Sequence, residues 1–201
     1  KRLRRLCEAY GAHPQFICLS ATMSHPDEFL QRLIGLPFHL IQENGAPKGT
    51  RHIMFWEAFA SPYTEAVNLA SHCLEQEFKT IVFAKARKIT ELITHWLTQQ
   101  APHLAQRVSS YRAGYLPEVR RQIEQELFSG QLLGAVATVA LELGIDIGDL
   151  EATVLTGYPG SIASTWQQAG RSGRGQEGSL SFLIGLDNPL DQYFMRHPDF
   201  F

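Results

Sequence analysis

A chain of 201 residues, 44% hydrophobic and 19% charged, with 18 Lys and Arg against 20 Asp and Glu, carries a formal charge of −2 and has enough apolar material for a core. Those proportions exclude a disordered or collagen-like polypeptide and predict one large domain, or one domain with a fragment of another. No apolar run comes near the roughly 18 residues that cross a bilayer, and the basic start KRLRRLCEAYG lacks the apolar stretch and cleavage site of a signal peptide. An intracellular, cytoplasmic protein without a membrane partner is expected. Cys7, Cys18 and Cys73 are odd in number and widely spaced, which predicts reduced core thiols. With CxxC and HExxH both absent, no metal site is expected.

In chain order, residues 1–10 place Leu3, Leu6 and Tyr10 at helical spacing, and QFICLS at 15–20 reads as a buried strand. A helix is predicted from His25 or Pro26, stopped near Gly35 and Pro37. NGAPKGT at 44–50 combines Gly and Pro without apolar periodicity, the composition of a solvated connector, and marks a boundary. Beyond it, strand-like and helix-like segments alternate. HIMFWEAF precedes a helix at 63–77, TIVFA one at 86–99 and RVSSY one at 116–128; GAVAT, ATVLTGY and SLSFLIG follow, separated by helical stretches at 139–143 and 162–169. Parallel neighbours need crossover connections, so this rhythm predicts an α/β fold, a mostly parallel sheet covered on both faces. In such sheets ligands bind beyond the carboxyl ends of the strands.

Neither GxxxxGK[ST] nor a forward GxGxxG occurs, so the chain has no phosphate cradle of its own and any NTP chemistry must borrow one. The most informative segment is QQAGRSGRGQEG at 167–178. On a helix, Arg171 and Arg174 would share a face, while Gly170 and Gly173 remove side chains that would hold another surface away. Two guanidinium forks suit a polyphosphate and the charge that develops in phosphoryl transfer; a solvated, glycine-broken helix end is the plain alternative. Thr138 follows a buried strand, where a hydroxyl and backbone N–H groups can hold a phosphate. Asp146, after Gly144 in a tight turn, can accept from ribose hydroxyls or simply close the turn. Arg107, Arg112, Arg120 and Arg121 form a candidate phosphate-facing stripe, with Arg112 the best placed. Core packing is expected of Phe55, Trp56, Phe59, Trp96 and Trp166, and exposure of Tyr158. Tyr193, Phe194, Phe200 and Phe201 are expected to dock on a neighbouring domain.

SAT at 20–22, IVFAKAR at 81–87, YRAG at 111–114, ATVALELGIDIG at 137–148 and QQAGRSGR at 167–174 occur in the order, and at roughly the distances, of motifs III, IV, IVa, V and VI of superfamily 2 helicases. With ALELGIDIGDLEATVLTGYPGS and DNPLDQYFMRHPDFF added, the chain most resembles the MrfA/YprA-type DNA helicases of bacteria, relatives of RecQ and of fungal helicases of similar layout. The resemblance implies a RecA-like three-layer sandwich at 51–201, the second RecA-like domain, preceded by the C-terminal remnant of a first at 1–43 and a linker at 44–50. It implies that Arg171 and Arg174 are arginine fingers reaching ATP on the other domain, with Gln168 beside them and Gly144 and Asp146 at the ribose side of the cleft. It implies that Thr138, Arg87 and Arg112 track the backbone of single-stranded or partly duplex DNA, and that Ser20 and Thr22 couple the two sites. Val139 departs from the pattern, standing where related sequences often carry Asn or Ser.

No P-loop Lys and no DE-type carboxylate pair precedes SAT, so ATP and Mg²⁺ would be held mainly by the missing first lobe, and the isolated fragment is expected to be inactive. The implied activity is that of an ATP-dependent DNA helicase, with DNA repair as its setting. A non-catalytic RecA-like module that binds nucleic acid or protein without turnover is the alternative. Backbone contacts carry little base information, so RNA suits the same residues.

Overall fold

The computed structural model describes residues 1–201 apart from 21–22, 44, 46–48, 139–140, 142–149 and 174–177. The chain divides into two units, Lys1–Ala46 and Pro47–Phe201. Thr22, Val139, Gly144, Asp146 and Arg174, and the helix predicted at 139–143 except for Leu141, lie outside the described residues.

The first unit holds helices α1 (Arg2–Ala9) and α2 (Pro26–Ile34). Pro26 opens α2 in its first turn, followed by Asp27 and Glu28, whose charges complement the helix dipole. At its other end Arg4 of α1 donates to the Gly35 carbonyl at 2.6 Å and the Lys1 ammonium donates to the Leu33 carbonyl at 3.1 Å, satisfying acceptors that the helix leaves open. The strand expected at 15–20 is absent among the described residues. Ile17 and Leu19 are exposed, because a strand needs a ladder partner and the described residues of this unit supply none. Cys18 is therefore exposed and Cys7 half-buried, which corrects the expectation of core thiols. Cys73 alone of the three is in the core, where burial pushes its thiol up.

The second unit is a six-stranded sheet built from β1 (Arg51–Trp56), β2 (Thr80–Phe83), β3 (Val108–Tyr111), β4 (Gly134–Ala137), β5 (Ala152–Thr156) and β6 (Ser179–Ile184). The order is β1-β6-β5-β2-β4-β3, and every pairing is parallel. Between the strands run α3 (Pro62–Glu75), α4 (Arg87–Gln100), α5 (Pro117–Ser129) and α6 (Ile162–Ala169), with α7 (Pro189–Arg196) after β6. Right-handed crossovers decide which face each helix covers. From β1 to β2 and from β2 to β3 the chain moves one way along the sheet, and α3 and α4 share a face; from β3 to β4 it moves back, and α5 lies on the other.

The strands confirm the two faces by their period of two. Val82, Val136, Val154, Phe182 and Ile184 pack beneath α3 and α4 with Ala66, Ala70, Leu74, Ile93 and Leu97. Ile81, Phe83, Ala135, Leu155 and Leu183 point the opposite way, toward Ile123 and Leu127 of α5. Both faces being covered, β2, β4 and β5 are buried at every position, which is why their sequences are nearly unbroken apolar runs. This is the three-layer α/β arrangement of a RecA-like lobe. No described helix is long and apolar enough to cross a membrane.

Candidate functional site

The carboxyl ends of β2, β4 and β3 are neighbours in register, Phe83 against Ala137 and Ala137 against Tyr111, so the residues that follow them gather at one sheet edge. Arg87 opens α4 just beyond β2 and is exposed, as are Lys85 and Lys88. Its guanidinium lies over Gly114, where a β-carbon would stand 3.7 Å from it. Thr138, half-buried, donates its backbone N–H to the Tyr111 carbonyl at 3.4 Å and is held by further contacts within the chain.

Arg112, immediately after β3, is braced on two sides. Its Nε lies 3.2 Å from Glu91 Oε1 and its guanidinium carbon 4.8 Å from the centre of the Tyr115 ring. The Tyr115 hydroxyl donates to the same Glu91 oxygen at 3.0 Å, and the Ser110 hydroxyl joins both Glu91 and Tyr115. Below it, Tyr111 donates to Glu124 Oε1 at 2.5 Å; burial first, then that hydrogen bond, pushes its hydroxyl up to about 12, so it is a neutral donor at physiological pH.

A second cluster forms at the opposite edge. Helix α6 is capped by the Ser161 hydroxyl, which accepts from the Ser164 N–H at 3.0 Å, and it stops at Ala169. Arg171 N–H then turns back to the Gln168 carbonyl and Ser172 N–H to the Ala169 carbonyl, each at 3.2 Å. Arg171 therefore sits on a turn after the helix, so the shared helical face expected of it and Arg174 does not form at Arg171. The turn is fastened to the amino ends of three strands. Gly173 N–H donates to the Leu150 carbonyl before β5 at 3.0 Å, Arg51 at the start of β1 donates through Nη2 to the Gly173 carbonyl at 3.1 Å, and Ser179 at the start of β6 packs on Gly173. Gly173 has φ +71°, and any side chain there would run into the Ser179 side chain, so only glycine fits. Gln168 and Arg171 are 3% and 5% exposed, and both are engaged within the lobe.

The helicase conserved C-terminal domain pattern matches residues 65–176, more than half of the chain. The chain belongs to the helicase C-terminal domain family. It is 43% identical over its whole length to "Uncharacterized ATP-dependent helicase YprA" of Bacillus subtilis, and 35% identical over 98% of its length to "ATP-dependent helicase hrq1" of Schizosaccharomyces pombe. It spans 28% and 20% of those relatives. Crystal structures of the DUF1998 helicase MrfA superpose with TM-scores of 0.91 for the complex with DNA and 0.88 for the complex with DNA and AMPPNP. Each is 43% identical over 99% of this chain, which covers 28% and 29% of them.

In this helicase C-terminal domain the structure thus brings Arg87, Arg112 and Thr138 to one edge and sets Gln168 and Arg171 at the other. The sequence-based rule of looking beyond strand carboxyl ends finds the first group and misses the second, because α6 runs back along the sheet before its turn. Ser20 lies in the first unit and is exposed. The arginine stripe does not form. Arg107 is at the amino end of β3, paired through both terminal nitrogens with Glu77 at 2.7 Å, an interaction that holds the Glu77 carboxyl below its usual range. Arg120 turns inward toward Tyr111.

The aromatic expectations are also revised. Tyr158 is buried at 7% exposure, its ring 4.5 Å from that of Phe194, and Phe201 packs on Phe55 at 5.2 Å, so Phe194 and Phe201 close their own lobe. Phe59 is 97% exposed in the loop after β1. Sequence reasoning overlooked Lys85, Glu91 and Asp191. Lys85 carried a signal, standing one residue past the buried run TIVFA; Glu91 and Asp191 owe their placement to folding alone.

Proposed function

We propose that this lobe belongs to an ATP-dependent DNA helicase or translocase, in which it completes a nucleotide site held mainly by another lobe and grips a nucleic-acid backbone. The observation that carries the reading is the separation of its cationic groups. Arg171, followed three residues later by Arg174, lies at the amino edge of the sheet, while Lys85, Arg87, Lys88 and Arg112 lie at the carboxyl edge. Identity of 43% to a helicase crystallised with DNA and AMPPNP supports the same reading.

Bound ATP supplies the free energy that drives opening and closing of the cleft. On this reading Arg174 faces its phosphates, Arg171 and Gln168, both buried, set the turn that leads to it, and Gly144 and Asp146 lie toward the ribose. A guanidinium fork suits phosphate oxygens. Mg²⁺ falls to the partner lobe. Arg87, Arg112 and Thr138 contact successive phosphates, and Ser20 and Thr22 couple the two events. Ion pairing with Glu91 fixes the Arg112 guanidinium before the strand arrives, which lowers the ordering cost of the contact.

Turnover by the full-length protein, measured with single-stranded DNA, with RNA and with neither, tests the proposal. Stimulation by DNA is expected, and equal turnover in all three would refute it. Arg87→Ala and Arg112→Ala should each weaken DNA binding by a similar factor on every sequence and lower the slope of log Kd against log salt by about one, as phosphate contacts do.

A further inference from the structure

The arginine-bearing turn is fixed by a residue that no part of the proposed reaction uses. Arg51 is the first residue of β1, where the chain enters the sheet from the 44–50 connector. Its Nη2 donates to the Gly173 carbonyl at 3.1 Å, its Cγ would lie 3.3 Å from a β-carbon on Gly173, and its Nη1 3.9 Å from one on Gly170. The side chain thus spans both glycines of the GRSG turn, with Arg171 between them and Arg174 next in sequence. On the other side, the backbone beside Arg51 closes the same grip, the Thr50 carbonyl accepting from Ser179 N–H at 2.9 Å, and Ser179 abuts Gly173.

Two glycines in four residues leave the turn with little stiffness of its own. Besides the hydrogen bonds of Arg171 and Ser172 back to α6, the turn is held by contacts from outside it, Leu150 on one side and Arg51 on the other. Transition-state stabilisation by a guanidinium depends on placement, and a shift of about 1 Å can cost on the order of a hundredfold in rate. We propose that Arg51 is a positioning residue for ATP hydrolysis, holding the Gly173 carbonyl so that Arg174, next in sequence, meets the phosphates. The inference rests on the finger reading above and names a residue that acts through it.

The test uses the full-length protein and compares Arg51→Ala, Arg51→Lys and Arg174→Ala, measuring kcat and KM for ATP at saturating single-stranded DNA, DNA affinity by anisotropy, and thermal melting. Arg51→Ala should lower kcat about tenfold or more, with KM for ATP and DNA affinity each within about threefold. Lys reaches a single carbonyl with a cationic donor, so Arg51→Lys should recover kcat to within a few-fold of the parent. Parental kcat in Arg51→Ala, alongside an inactive Arg174→Ala, would overturn the positioning role and leave the fingers standing. Equal losses in Arg51→Ala and Arg51→Lys at unchanged melting temperature would overturn the carbonyl contact as the cause. Parental turnover in Arg174→Ala would remove the finger reading, and the role of Arg51 with it.

Discussion

Arg174→Ala in the full-length protein is expected to reduce DNA-stimulated ATP turnover by about a thousandfold or more, the range seen when an arginine finger is withdrawn from phosphoryl transfer. Its affinity for single-stranded DNA should stay within a few-fold. The size of the effect follows from what such a group does. It meets charge that develops only in the transition state, inside a cleft closed to water, so its loss falls on kcat rather than on substrate binding. The preserved DNA affinity follows from the fold, because the turn that leads into Arg174 is fastened at the amino edge of β5, β6 and β1, whereas Arg87, Arg112 and Thr138 stand at the carboxyl edge of β2, β3 and β4. Steady-state kinetics with an anisotropy titration on the same preparation checks both halves. Unchanged turnover would refute the assignment, and a parallel collapse of DNA binding would mean that the two edges are not separate sites. Arg171→Ala provides an instructive contrast. That side chain is buried and engaged inside the lobe, so its loss should lower the melting temperature as well as turnover.

The alternation of elements was legible in the sequence because buried parallel strands such as TIVF and GAVA are uninterrupted apolar runs, and the helices between them begin and end with clear signals such as Pro117 and Gly130. Strand order was not legible, since handed crossovers constrain faces but leave several orders open. The arginine-rich turn announced itself through Gly170 and Gly173, yet its edge of the sheet could be known only once α6 was seen to reverse direction. Failures cluster where burial depends on distant partners. QFICLS has strand composition and no ladder to join among the described residues of its unit; Arg107 has the charge of a phosphate contact and is taken by Glu77, thirty residues away in sequence. Tyr158 looked like an exposed loop tyrosine until α7 folded Phe194 over it.

What holds that loop down is a single carboxylate, and Asp191→Ala should destabilise the lobe by about 3–5 kcal/mol. Asp191 is 1% exposed in the first turn of α7, its own N–H donated to the capping Asn188 side chain at 3.0 Å. Its Oδ2 accepts from Tyr158 N–H after β5 and from Leu186 N–H after β6, both at 3.0 Å, and its Oδ1 lies 3.7 Å from Lys85 Nζ after β2. Those strands are consecutive in the sheet, so one side chain ties three strand ends together. Gly157, at φ +86°, permits the approach, since a β-carbon there would stand 2.7 Å from Leu186 and 2.9 Å from the carboxylate. Removing the carboxylate strands the buried Tyr158 N–H and the half-buried Leu186 N–H at about 1–3 kcal/mol each, while the half-exposed Lys85 pair adds little. Asp191→Asn separates the two contributions. Its carboxamide oxygen can serve both N–H groups from the Oδ2 position, without their charge assistance and with its NH₂ turned toward Lys85, so it should cost about 1–2 kcal/mol, clearly less than Ala. Urea denaturation of the parent and both variants checks this, with equal losses in Ala and Asn meaning that the charge matters more than the two hydrogen bonds. Since Lys85 lies at the same edge as Arg87 and Arg112, the Ala variant should also bind DNA more weakly at temperatures where it remains folded, because the loops that frame that edge lose their common anchor.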